Sequence, residues 1–358
     1  MIPSPRIRSR KPRGASCCRL VLVSATLYAL TMWMTCAHSG ELSDCTQAKI
    51  TPKTVDNCTL LIEAGQADKN DLARAHFNRG TALGMQGQLD RAISDLDKAI
   101  ELNPQWGAAY SNRGLAFAGK GRPDRAIEDY TQAIRLDPKA AHVFISRGIL
   151  YSNVNKLEEA LADFNAVISI NPSSQVAYFN RGSVYRKMQQ QDRAIADCGE
   201  ALRLEPKYVL AHLRLADTYR DMNQYDRAIE GYSRAIALRP KDAFIYYLRG
   251  GAYSEGGLYD QALSDYGEAL KMDPQLALAH NGRAWTYFKM GKPADGLPEV
   301  ERALQLQPQL SHAYDTRAHV YEALGRKEEA VADFRKALAL KPTIRTSLEG
   351  LKRLGVAP

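Results

Sequence analysis

Apolar and small residues in this chain recur at helical spacing, in pairs of short blocks. Over residues 107 to 140, Tyr110, Gly114 and Phe117 fall at i, i+4 and i+7, which is one face of a helix. Ala126, Tyr130 and Ala133 repeat that spacing in a second block. Two antiparallel helices are predicted, with Gly114, Ala126 and Ala133 letting the backbones approach and Tyr110, Phe117 and Tyr130 filling the space between them. Adding 34 to each number gives Phe144, Gly148, Tyr151, Ala160, Phe164 and Val167, the same pattern again. Pro104, Pro138, Pro172, Pro206, Pro240, Pro274, Pro308 and Pro342 keep the same 34-residue spacing, and each closes a second helix. Glycines 87, 121, 257, 291 and 325, with Asn155 and Asn223 in the same column, end the first helices as left-handed caps do. A period without insertions means that each unit buries its apolar face only against its neighbours.

This run of aromatic, small, aromatic, then Ala, aromatic, Ala and Pro resembles the tetratricopeptide repeat family over residues 73 to 344. The resemblance implies an all-α, right-handed superhelical solenoid of eight 34-residue helix-turn-helix repeats with capping helices at both ends. It also implies a concave groove, lined by the first helices, that receives an extended peptide or a partner helix. Carried onto this chain, the groove columns include Phe77, Ile145, Phe179, Leu213 and Tyr247, with Leu115, Ile149, Trp285 and His319 one turn on. Asn78, Asn112 and Asn180 stand where superhelical members use an asparagine ladder to hold a peptide backbone, although Ser146, Arg214, Leu248, Gly282 and Thr316 interrupt it. Phe77 and Thr81 do not match the lysine and asparagine of members that clamp a C-terminal carboxylate. The competing reading is that the apolar residues pack between neighbouring first helices, and that the asparagines are ordinary exposed helix residues.

The formal charge of +8 would suggest an acidic partner, but Arg6, Arg8, Arg10, Lys11, Arg13 and Arg19 supply six of it, with no acidic residue before Glu41. The remaining +2, without a basic stripe, makes a poor nucleic-acid binder. Those charges precede an apolar run from Leu20 to Thr35 and small residues near Cys36 and Ala37, which reads as a signal peptide cleaved after Ala37 or Ser39. An uncleaved anchor is the alternative, and either places the repeats across the membrane. The expected organisation is a signal peptide or N-terminal anchor over 1–37, an N-terminal helical cap over 38–72, eight repeats over 73–344 and a C-terminal capping helix and tail over 345–358. In the last segment Ile344, Leu348, Leu351 and Leu354 recur at helical spacing.

Cys45 and Cys58 lie together in the segment outside the period, where a disulfide could hold the cap onto the first repeat. The alternative is that Cys58 replaces the small alanine of a degenerate second helix. Cys198 occupies the aromatic column of Tyr130 and Phe164 and reads as core.

No phosphate loop, nucleophile elbow or metal-ligand spacing appears, and a regular array without inserted loops has no segment to supply a catalytic constellation. No enzyme activity, cofactor or metal is expected. One polar pattern stands out: arginine precedes the small residue at 79, 113, 147, 181, 249, 283 and 317, where the family more often has leucine. An acid follows sixteen residues later at Asp95, Asp129, Asp163, Asp197, Asp265, Glu299 and Asp333, and both columns fail together at Leu215 and Gly231. An ion pair joining the two helices is expected. In repeat seven, Gly296 and Pro298 depart from the pattern and predict a soft second helix.

The function expected is that of a scaffold binding a protein or extended peptide in the groove, exported to a periplasm or beyond. The tandem Asn-Arg-Gly and Asp-Tyr motifs behind a cysteine-containing exported N-terminus resemble bacterial envelope repeat proteins. The alternatives are a membrane-anchored assembly factor of an envelope complex and an accessory subunit of an envelope polymer enzyme. A membrane is a partner only if the N-terminal segment stays uncleaved.

Overall fold

The computed structural model describes Cys45 and residues 50 to 357, so the expected signal peptide, anchor and cleavage site lie outside the described residues. The chain forms two units, Met1–Ala116 and Phe117–Pro358. Among the described residues there are eighteen helices and no strand, and no helix is long and apolar enough to cross a membrane.

In the first unit α1 (Thr54–Ala64) is followed by α2 (Lys69–Met85), α3 (Leu89–Leu102) and the start of α4 (Gly107–Gly119). The second unit holds the end of α4 and α5 (Pro123–Leu136), then first and second helices in pairs. These are α6 (Ala141–Asn153) with α7 (Leu157–Ile170), α8 (Gln175–Lys187) with α9 (Gln191–Leu204), α10 (Val209–Asp221) with α11 (Tyr225–Leu238), and α12 (Ala243–Glu255) with α13 (Tyr259–Met272). Then come α14 (Ala277–Lys289) with α15 (Pro293–Leu306), α16 (Ser311–Ala323) with α17 (Lys327–Leu340), and α18 (Arg345–Arg353).

The period sets the boundaries. A residue before proline is driven out of the helical region, and Asp137, Asn171, Glu205 and Asp273 accordingly end their second helices with extended backbone. The turn between paired helices needs one left-handed residue. Glycine supplies it in most repeats, Asn155 and Asn223 in two, and Gln189 in repeat four at φ 57°, which the glycine and asparagine column did not disclose.

Small residues stand where an aromatic from the partner helix presses close. A Cβ on Gly148 would lie 2.9 Å from the Phe164 ring, and one on Gly250 2.9 Å from the Tyr266 ring. Phe164 and Phe334 are fully buried by this arrangement, each contributing roughly 2–3 kcal/mol. Within the second unit each second helix packs on the first helix of the next repeat or the terminal helix, and from α6 onward each also packs on its own first helix. Successive first helices also touch, as α6 with α8 and α14 with α16 do, whereas no two second helices pack on each other to a comparable extent. The first helices therefore crowd the inner side of this unit, and the second helices splay on the outer side.

Both readings of Cys58 hold together. It stands 34 residues before Ala92, in the alanine column, and it is joined by a disulfide to Cys45, which stands 34 before Arg79, in the arginine column. A covalent bond thus ties Cys45 to α1. Both cysteines are fully buried with Leu61 and Ala75. At the other end Ile344 and Leu351 of the terminal segment are buried, while the Ser347 hydroxyl donates to Asp315.

Candidate functional site

The expected ion pair is present and does more than join two helices. In repeat three, Arg147 Nε and Nη2 donate to Asp163 at 2.9 and 2.7 Å; in repeat four, Arg181 does the same to Asp197 at 2.7 Å for both. Arg79 with Asp95, Arg249 with Asp265 and Arg317 with Asp333 repeat the forked geometry. Arg283 meets Glu299 at 3.2 Å. The remaining nitrogen reaches backward: Arg147 Nη1 donates to Thr131, Arg181 Nη1 to Asn165 and Arg249 Nη1 to Ser233, each sixteen residues earlier on the preceding second helix. One guanidinium thereby fixes its first helix against two second helices.

Aromatic side chains hold that guanidinium flat. Arg147 lies over Phe144 and Tyr151, Arg181 over Tyr178 and Tyr185, Arg249 over Tyr246 and Tyr253, and Arg317 over Tyr314 and Tyr321, at 5.4 to 5.9 Å from the ring centroids. Two histidines join the acids: His76 Nδ1 is 2.9 Å from Asp95 and His280 Nδ1 is 2.7 Å from Glu299. Burial opposes the charged form of Asp95, but the hydrogen bonds and charges of Arg79 and His76 outweigh it and hold the carboxyl below its usual range. In repeat five Leu215 and Gly231 replace the pair. A Cβ on Gly231 would lie 2.9 Å from the Ala216 Cβ, and a recess of 220 Å³ remains beside Leu215 and Tyr219.

On this frame the expected groove residues take different roles. In the first unit Phe77 stacks on Trp106 at 4.4 Å. Asn78 is buried and its amide donates to the Cys45 carbonyl at 2.5 Å, while the Asn112 amide donates to Thr81 Oγ1. In the second unit the Asn180 amide donates to the Val176 carbonyl. All three asparagines thus hold acceptors inside the fold, and Asn78 in particular is enclosed by the cap. Leu213 packs beside Val209 and, in the next repeat, Ile245, whereas Tyr247 packs beside Tyr266 of its own repeat, so both are taken up largely by helix packing. Ile145 and Phe179 are both half-buried, Phe179 against Tyr208 at 5.3 Å with Arg214 over its ring. Trp285 joins Phe288 and His319 in an aromatic cluster.

The apolar residues most open to solvent on first helices include Leu115 and Ile149 of the expected groove columns, together with Met85 at the end of α2, Leu210 and Phe244. Leu115 in the first unit is 63% exposed, and Ile149, Leu210 and Phe244 in the second are 38, 45 and 47% exposed. Leu210 and Phe244 escaped the sequence reading, though they stand 34 residues apart, in a column with Val176 and Leu278. Charged side chains link the C-terminal ends of successive first helices: Arg186 donates to Asp221 and Arg220 to Glu255. Among the described residues no group of three or more His, Cys, Asp or Glu could hold a metal ion. Burial pushes the Cys198 thiol up to about 12, so it sits in the core as a neutral group.

Paired antiparallel helices stacked at one fixed period define a helical repeat protein. Family profiles described as TPR repeat match residues 216–257 and 250–291, and profiles described as tetratricopeptide repeat match 77–141, 141–174, 176–208 and 311–344. The chain belongs to the tetratricopeptide repeat family. None of the curated proteins matches it in sequence. Among solved structures, the APC/C hetero-tetramer Cut9-Hcn1 is similar with a TM-score of 0.55 at 17% identity, over 92% of this chain and 64% of that one. Pseudomonas aeruginosa pilF gives a TM-score of 0.52 at 21% identity, over 60% of this chain and 98% of that one. A tetratricopeptide repeat protein from Parabacteroides merdae gives 0.48 at 24% identity, over 79% and 98%. The first two likenesses bear on the fold.

Proposed function

We propose that this protein is an exported scaffold, without catalysis of its own, that receives a protein or an extended peptide on the inner face of its first helices. The observation that carries the reading is the exposure of Ile149, Leu210 and Phe244 on first helices of the second unit. Apolar side chains left to water on a regular, rigid face are the usual mark of a recognition surface. The buried Cys45–Cys58 disulfide supports an oxidising compartment, in keeping with the basic and apolar character of residues 1–37.

Photo-crosslinkers placed at Phe179 and Phe244, in the native compartment, test the reading. Capture of a discrete partner from both positions, lost on Phe179→Glu, is the expected result. Capture that persists in that variant, and that falls instead when outward second-helix positions such as Glu268 are changed, would sink it.

A further inference from the structure

Repeat five keeps the surroundings of the bracketed arginine and lacks the arginine itself. In repeats four and eight one tyrosine ring carries two guanidinia: Tyr185 has Arg181 at 5.9 Å and Arg193 at 5.6 Å, and Tyr321 has Arg317 at 5.6 Å and Arg326 at 4.3 Å. Tyr219 stands 34 residues after Tyr185, and Arg227, 34 after Arg193, lies over its ring at 5.4 Å. The place of the other guanidinium falls to Leu215, and that of its carboxylate to Gly231. Between the two helices of this repeat lies the recess of 220 Å³, lined by Leu215, Gly231 and the side chains of His212 and Tyr219, and completed by Arg227, Glu230 and Arg234. Leu215 and Tyr219 are only partly buried, so the recess opens to solvent.

Its size and charge decide what fits. A volume of 220 Å³ suits one large side chain, and is below the roughly 300–1,000 Å³ of clefts that take drug-sized ligands. His212 donates its Nε2 hydrogen to the Pro206 carbonyl at 2.9 Å, and Arg227 Nη1 donates to Gln224. Glu230 is held by Arg234 at 2.6 Å. A guest cation would therefore meet two guanidinia and one engaged carboxylate, where the acid that neutralises Arg181 in repeat four is a glycine. A guest carboxylate would lose its water against Leu215 and the Tyr219 ring. A flat neutral ring meets neither cost: it stacks on Tyr219 where a flat guanidinium lies in other repeats, and it offers its π-face to the guanidinia of the recess. We propose that the recess in repeat five is a socket for one aromatic side chain of a partner protein. None of the exposed residues that carry the groove reading lines it, so the two contacts stand independently.

The test is solution NMR of the purified protein, following the Gly231 amide signal during titration with N-acetyl-tryptophan amide, N-acetyl-arginine amide and N-acetyl-aspartate amide. The tryptophan probe should shift that signal saturably, with an affinity at least about tenfold above that of either charged probe. Leu215→Arg returns the guanidinium of the other repeats to the recess and should abolish the shift; a shift retained in that variant would overturn the socket. The comparison of the three probes needs no substitution. Equal or tighter binding of a charged probe would overturn the aromatic assignment, and a Gly231 signal that no probe moves would overturn the site. A signal that moves with protein concentration alone would put a second copy of this chain in the recess, and would overturn the heterologous partner.

Discussion

Each bracketed arginine is a local device with several dependent parts. Arg147 is positioned by Phe144 and Tyr151, forks onto a carboxylate that is 3% exposed, and reaches Thr131 on the preceding second helix. Arg147→Ala leaves Asp163 buried without its partner, and should cost about 3 kcal/mol in urea denaturation; a loss under about 1 kcal/mol would mean that the pair behaves as an exposed one. The same logic has a pH signature at Asp95, whose carboxyl is held below the usual value of 3.8. A depressed carboxyl contributes stability that is complete above its unfolded value and is lost as pH falls through the folded one. The stability gap between the native chain and Asp95→Asn should therefore be constant near neutrality and shrink below about pH 4; a gap that widens on acidification would contradict the assignment. The arginine and acid columns were legible in the sequence because both recur and both fail at Leu215 and Gly231. Their bracketing was not. Tyr151 reads as a core filler until its distance to the guanidinium is known, and nothing in the sequence shows that His76 shares the acid of Arg79. Gln189 was also hidden, since its column otherwise holds glycine or asparagine. Relieving its left-handed backbone by Gln189→Gly should raise stability by roughly 1 kcal/mol.

At the level of the element, helix α15 revises the meaning of a sequence irregularity. Gly296 and Pro298 read as two weaknesses in one helix, yet α15 runs unbroken from Pro293 to Leu306. A Cβ on Gly296 would lie 2.8 Å from the Ala284 carbonyl, so the missing side chain is what lets α14 and α15 meet backbone to backbone. Gly296→Ala should therefore destabilise by about 1–2 kcal/mol, against the roughly 1 kcal/mol gain that helix propensity alone would give. A stabilised variant in thermal denaturation would show that the close approach can relax at little cost. Pro298 retains its expectation, because it has no amide to donate within the helix. Amides over 293–304 should exchange faster than those over 260–271. Helix boundaries were legible to within a turn, since proline and the left-handed column both constrain backbone angles directly. Close approach was not, because it depends on a distance between two helices and not on either one's pattern.

At the scale of the whole molecule, the two caps answer the same need by different means. The C-terminal segment covers its repeat with Ile344 and Leu351, whereas at the N-terminal end α1 is secured by the Cys45–Cys58 disulfide. Reduction removes a constraint worth roughly 3 kcal/mol in the chain-entropy account, so hydrogen exchange in Thr54–Ala64 should accelerate in dithiothreitol while α12 to α17 stay unchanged. Unaltered exchange in that helix would show that burial of Leu61 suffices. The array was legible from its period; the face that a partner uses was only partly so. Sequence columns place Leu213 and Tyr247 on the first-helix face, but only the structure shows that helix packing absorbs them and leaves Ile149, Leu210 and Phe244 to solvent. The claim that this inner face receives the partner is tested most directly by a scan of glutamate substitutions along both helices of repeats three to six, read by partner capture in the native compartment. Losses confined to Ile149, Phe179, Leu210, Phe244 and their first-helix neighbours, in variants that remain folded, are the expected outcome; losses concentrated on the outward positions of the second helices would contradict it.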